Sequence, residues 1–148
     1  MRISDKFSLQ DITRSDTATR KGFTEQFEPE QRIIDNATEV CKNILDKIPH
    51  QFFITSFYRC KRLNRAIGGS ATSDHMEGCS VDIDSQNNLN NRIIFDYIRI
   101  NCKFDQLIWE FGNDFNPDWV HVSYRKTGNR NQILKAIKVN GNTKYTRL

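Results

Sequence analysis

The chain has 148 residues, 27% of them charged and 37% hydrophobic, and carries a formal net charge of +4. That length fits one domain, residues 1–148, with a core large enough to need no disulfide staple. Mean hydropathy is −0.66, and no run approaches the ~20 apolar residues of a membrane span.

The start, Met1-Arg2-Ile3-Ser4-Asp5-Lys6, lacks the apolar stretch of a secretory signal. The expectation is a monomer made in the cytosol without a signal peptide; action outside the cell would require release or carriage. Cys41, Cys60, Cys79 and Cys102 form no CxxC pair, so they read as reduced, mostly buried thiols rather than a zinc cluster. The charge is uneven: from Trp119 to Leu148 there are seven Lys and Arg and no Asp or Glu, which leaves −3 on residues 1–118. A basic C-terminal segment, 125–148, suggests an anionic partner such as a cell-wall polymer or a nucleic acid, or else a solvated face with no dedicated partner.

In chain order, Phe7, Leu9 and Ile12 are candidate anchors, and Ser15-Asp16-Thr17-Ala18 resembles a capped helix start. Glu28-Pro29-Glu30 opens a helix whose apolar residues, from Ile33 to Ile48, recur at helical spacing through about Lys47; Pro49 ends it. Phe52 to Phe57 reads as a buried strand, and Lys61 to Ile67 as a short helix stopped by Gly68-Gly69. Cys79 to Asp84 alternates, with Val81 and Ile83 on one face and Ser80, Asp82 and Asp84 on the other. Leu89 to Ile100 reads as a helix with Ile93, Ile94, Tyr97 and Ile98 on one stripe. Phe104 to Phe111 and Trp119 to Tyr124 read as strands, the second placing Val120 and Val122 opposite His121 and Ser123. Asn140-Gly141 marks a hairpin between Ile133–Val139 and Thr143–Thr146, although Lys135 falls in phase with Ile133 and Ile137. The total is an α+β fold with a mainly antiparallel sheet flanked by helices.

Chemistry concentrates in Ser73-Asp74-His75, Asp82 and Asp118-Trp119-Val120-His121. Two of the three histidines in the chain stand here. His75 on a loop, a turn at Gly78, and Asp82 and His121 on the polar faces of two strands that could be neighbours would give two nitrogens and a carboxylate. That set suits zinc and leaves a position open for water. Asp118 could take a proton from such a water, provided the chain bends there, because strict alternation points it away from His121. Arg59, ending Ser56-Phe57-Tyr58-Arg59, could clamp a carboxylate or an oxyanion. Each residue also has a plainer reading: a polar strand-edge histidine, turn aspartates, a solvated arginine. His50 has no such company.

These residues resemble the M15 family of zinc D-Ala-D-Ala carboxypeptidases and related peptidoglycan peptidases. The family pattern S-x-H-x(6)-D, a later acid-x-x-H and an upstream S-x-Y-R is matched by Ser73 to Asp82, Asp118 to His121 and Ser56 to Arg59. Further pieces are Phe7-Ser8-Leu9, Leu63 to Gly69 and Phe104 to Glu110, so the likeness covers about residues 5–125. It implies a hedgehog/D-Ala-D-Ala-peptidase-like fold, zinc on His75, Asp82 and His121, Asp118 as general base and acid, and Arg59 as stabiliser. Ser73, Tyr58 and Ser56 would lie beside the substrate. The wider family often has Glu where Asp118 stands, one methylene longer. The basic C-terminal stretch lies beyond the shared motifs.

The function expected is zinc-dependent hydrolysis of an amide bond in the peptidoglycan peptide stem, as a carboxypeptidase or an endolysin-type endopeptidase of a phage lysin or virion-associated enzyme. An inactive zinc-bearing wall-binding or structural module is one alternative. A nucleic-acid-binding protein using the basic C-terminus is the other, although no nucleic-acid motif is recognisable.

Overall fold

Alternation in two short segments fixes the centre of the molecule. In Ser80-Val81-Asp82-Ile83 and Trp119-Val120-His121-Val122, every second side chain is apolar, so each strand buries one face and offers polar groups on the other. The computed structural model, which describes residues 1–86 and 90–148, pairs these segments antiparallel as β2 (Ser80–Ser85) and β4 (Trp119–Ser123). Around them, β1 (Phe52–Ser56), β3 (Gln106–Glu110), β5 (Gln132–Val139) and β6 (Asn142–Arg147) complete a six-stranded sheet in the order β1-β2-β4-β3-β5-β6. All neighbours are antiparallel except β3 and β5. The α+β reading holds.

One face of the sheet carries Val81, Ile83, Leu107, Trp109, Val120 and Val122, which share a core with Ile33, Ala37, Val40 and Cys41 of α3 (Gln31–Asn43) and Ile94, Phe95 and Ile98 of α5 (Asn91–Asn101). The shorter helices are α1 (Leu9–Thr13), α2 (Asp16–Lys21) and α4 (Lys61–Ala66). Ser15 caps α2 through its hydroxyl, as its sequence signature implies. The opposite face has a small apolar floor of Ile108, Leu134 and Ala136, and the polar side chains stand on it.

Several element boundaries differ from the sequence reading. Helix α3 ends at Asn43, and a 3-10 turn over Leu45–Lys47 carries Ile48 into the core. β1 is an edge strand with exposed Phe53 and Thr55 rather than a buried one. The helix expected from Leu89 begins at Asn91, and Leu89 lies outside the described residues. Ile93 is 41% exposed, Phe95 taking its place on the buried stripe. All four cysteines are free thiols. Asn140 and Gly141 both adopt positive φ, as a two-residue hairpin turn needs.

The C-terminal charges are less free than their number suggests. Asp105 is fully buried and accepts hydrogen bonds from Arg125 Nε (3.1 Å), Arg130 Nε (2.9 Å), Arg130 Nη2 (2.8 Å) and the Arg130 backbone N–H (3.2 Å). Arg125 also reaches Asp74, at 3.0 Å. Lys135, in phase with Ile133 and opposite Trp109, pairs with Asp114 at 2.7 Å. Hydrogen bonds from Arg130 and Arg125 push the Asp105 carboxyl down to about 2 against its burial. A carboxyl held below its unfolded value stabilises the fold above roughly pH 4, and that contribution drains away as pH falls toward 2. Asp105→Ala should cost about 2 kcal/mol in urea denaturation at pH 7, because it removes the charge-assisted hydrogen bonds that tie Arg125 and Arg130 to a buried carboxylate. The gap between variant and parent should narrow as the pH drops from about 4 to 2.

Candidate metal centre and active-site cleft

The register brings the expected ligands together. Asp82 stands directly opposite His121 across β2 and β4, and cross-strand neighbours meet at Cβ separations of about 5 Å. His121 Nδ1 lies 2.9 Å from Asp82 Oδ1, and His75 Nε2 lies 3.3 Å from Asp82 Oδ2. One ligand atom from each of His75, Asp82 and His121 falls within 4.8 Å of the others.

His75 comes from a 3-10 turn, Asp74–Glu77, that several contacts fix. Ser73 Oγ accepts from the His75 N–H at 3.2 Å, and Gly78 ends the turn with φ +72°. A Cβ at Gly78 would come within 2.7 Å of the Ile33 carbonyl on α3, so glycine is needed there twice over. Arg32 and Asn36 of α3 hold Glu77 by its carboxylate and its carbonyl. The imidazole Nδ1 lies 2.7 Å from the Phe57 carbonyl. Since a carbonyl only accepts, Nδ1 carries the proton, and Nε2 is left as a lone-pair donor facing Asp82. Ser56-Phe57-Tyr58-Arg59 therefore sets the tautomer of a ligand. That segment is itself pinned by buried Gln26, which donates to Thr13 O and Tyr58 O and accepts from the Cys60 N–H, each at 2.8 Å.

Electrostatics in the group follow from burial and proximity. Burial holds His75 below its ordinary value against the pull of Asp82. Burial also depresses His121, but the hydrogen bond and charge of Asp82, with help from Glu110 and Asp74, leave it raised. Burial would raise Asp82; the hydrogen bond from His121 and the closeness of both imidazoles outweigh it and keep the carboxyl far below the usual carboxylate range. The group is thus a carboxylate between two imidazoles. Its donor set, two nitrogens and carboxylate oxygens converging within one coordination sphere, fits a divalent metal such as zinc.

The group sits in an open cleft of about 920 Å³. Arg59 lines it; the guanidinium bonds Asn64 Oδ1 at 3.2 Å through Nη1, while Nε is buried and unpartnered among the described residues. Glu110 lines it too, on β3 beside His121's strand, opposite Trp119. Burial pushes the Glu110 carboxyl up to about 7, with His121 and Asp82 close enough to act on it in opposite senses. Its carboxyl group makes no hydrogen bond among the described residues, so it is free to act on a molecule in the cleft.

The family model described as Peptidase M15 matches residues 5–123. The chain belongs to the peptidase M15 family. No curated protein matches it. A metallopeptidase family and a His-Asp-His group able to hold a metal thus coincide in this M15 member.

The other residues singled out by sequence fall into different places. Ser73 lines the cleft. Tyr58 does not: its ring is in the core beside Ile12 and Cys60. Ser56 sits opposite Asp82 at the bulged end of β1 but does not line the cleft. Asp118 is not brought to the group. It is exposed and lines a separate shallow cleft with Asp84, Asn91 and Asn116. The chain bends at Asp118, just before β4, yet the bend does not carry its side chain to the ligand group's cleft: its N–H donates to the Glu110 carbonyl at 2.9 Å and its own carbonyl accepts from Asn91 Nδ2 at 3.0 Å. Glu110 is the residue missed as a site candidate. In sequence it follows the apolar run Leu107-Ile108-Trp109 inside the strand expected over Phe104 to Phe111, where nothing local marks a lone acid as a site residue.

Gly69 has a local role. A Cβ there would lie 2.1 Å from Asn64 Oδ1 and 2.7 Å from Arg59 Nη1. Gly69→Ala should displace the Asn64 amide and the guanidinium it positions. Peptidase assay should show a loss of tenfold or more in turnover, from misplacement of a charged group at the cleft. Metal content should be unchanged, because no ligand touches Gly69.

Proposed function

We propose that this M15 family member is a zinc-dependent hydrolase, one domain over 1–148, that cleaves an amide bond in the peptide stem of peptidoglycan. The observation that carries the reading is the juxtaposition of His75, Asp82 and His121 with the open carboxyl group of Glu110 in one cleft. Zinc held by those three side chains would polarise the scissile carbonyl and lower the pKa of a bound water.

The chain's own groups account for the remaining steps. The Glu110 carboxylate takes the proton of the attacking water on an Oε atom and returns it to the nitrogen of the leaving amine. Its near-neutral acidity in this pocket suits both transfers. The Arg59 guanidinium, with Nε unpaired, donates to the carbonyl oxygen as charge develops there, or to a substrate carboxylate. Ser73 lies at the cleft wall as a further substrate contact. The proton-carrying role expected of Asp118 is thereby reassigned to Glu110, which faces the same cleft as the ligands. Delivery to the wall, by release from the cell or in a virion, belongs to the same proposal.

The purified protein should carry one zinc per chain, and His121→Ala should lose it. Glu110→Gln should keep zinc and fold while muropeptide hydrolysis falls on the order of 10²–10⁴-fold, the range for loss of a general base. Asp118→Asn should stay within a few-fold of the parent. If the two variants behaved in the opposite way, the proton carrier would be Asp118. Mass spectrometry of digested muropeptides would name the bond. A metal-loaded parent that bound muropeptide without cleaving it would be a wall-binding module instead.

A further inference from the structure

The matched family span ends at residue 123, yet the sheet continues. β5 and β6 extend the site face, and Lys138, Thr143, Tyr145 and Arg147 line the same cleft as the ligand group. Register explains why. Asp82, His121, Ile108, Leu134 and Arg147 form one row across β2, β4, β3, β5 and β6. In the next row, Glu110 and Tyr145 flank buried Ala136, whose small side chain leaves the space between them open.

The hairpin is also where unpaired positive charge faces the cleft. Arg125, Arg130 and Lys135 are engaged by Asp105, Asp74 and Asp114. Arg147 has no carboxylate or hydrogen-bond partner among the described residues. Lys138 has only the Thr143 hydroxyl at 3.1 Å and the Phe111 ring at 5.3 Å.

We infer that the β5–β6 hairpin is the substrate-carboxylate wall of the cleft, with Lys138 and Arg147 binding an anionic group of the peptide a few residues from the scissile bond. The spacing supports that distance. Three strand steps of about 4.8 Å separate β4 from β6, and an arginine reaching back would place its guanidinium roughly 10 Å from the ligand group. An extended peptide covers that in about three residues. The inference rests on the hydrolase reading for the identity of the peptide, but not on the identity of the proton carrier.

The test uses zinc-loaded protein and the pentapeptide L-Ala-γ-D-Glu-L-Lys-D-Ala-D-Ala. Two analogues accompany it, one amidated at the C-terminus and one with D-isoglutamine for D-glutamate, so that the two carboxylates are separated. Binding is read calorimetrically on whichever of Glu110→Gln and Asp118→Asn has lost turnover, and KM and kcat are read on the parent. One of the two amidations should weaken binding about tenfold. Lys138→Gln/Arg147→Gln should weaken the acid peptide by a similar factor and erase the acid-over-amide preference. In the parent background the same pair should raise KM with kcat held within about twofold and zinc content unchanged. A double variant that kept the preference, or that lost acid and amide peptides equally, would overturn the inference. So would a parent indifferent to both amidations. Preference in binding without hydrolysis would uphold the wall and sink the hydrolase reading instead.

Discussion

A single carboxylate shared between two imidazoles organises the cleft. Asp82 can face His121 only because β2 and β4 pair in the register that sets them opposite each other. It can face His75 only because the Phe57 carbonyl accepts a hydrogen bond from Nδ1–H and so leaves Nε2 turned inward. A slip of one residue in either strand would send Asp82 or His121 into the apolar core and bring a valine to the cleft. The alternating apolar residues that pack α3 and α5 against the sheet thus also hold the ligand geometry, and core packing and site geometry are one constraint.

The shell around that group comes from groups whose contribution is their backbone. Gln26 ties Thr13, Tyr58 and Cys60 by main-chain atoms alone. Asn91 fixes the loop before β4 by taking hold of the Pro117 and Asp118 carbonyls and accepting from the Ser85 N–H. Both are buried amides whose side chains join separate chain segments. Such residues specify position at modest net energy, because an unmade bond there costs more than a made one contributes.

Where chemistry followed local periodicity, the sequence was readable. Val81 and Ile83, alternating with Asp82, announced a half-buried strand, and Val120 and Val122 did the same for His121, so the ligands could be placed on facing polar sides. The hairpin at Asn140-Gly141 was legible from the conformations those two residues permit. What failed depended on partners far along the chain. Asp118 lies beside His121 in sequence but not in space, whereas Glu110 reaches the cleft through cross-strand pairing that no local pattern encodes. Tyr58, carried in a motif with Arg59, is drawn into the core by the neighbours of α1. The C-terminal charge, read as one basic face, divides into arginines consumed by buried Asp105 and cations left facing the cleft.

The wide separation of the three ligand residues along the chain has a consequence for metal exchange. His75, Asp82 and His121 come from a turn and two strands, so an unfolded chain offers no preformed chelate, and bringing the ends of that loop together costs entropy that only the completed sheet repays. On the proposed metal reading, capture would be coupled to the last stages of assembly, and a bound ion would draw the native state deeper by mass action. Because the group lines an open cleft, a chelator would reach such an ion without opening the sheet, and the fold would then lose the stabilisation that the ion had supplied.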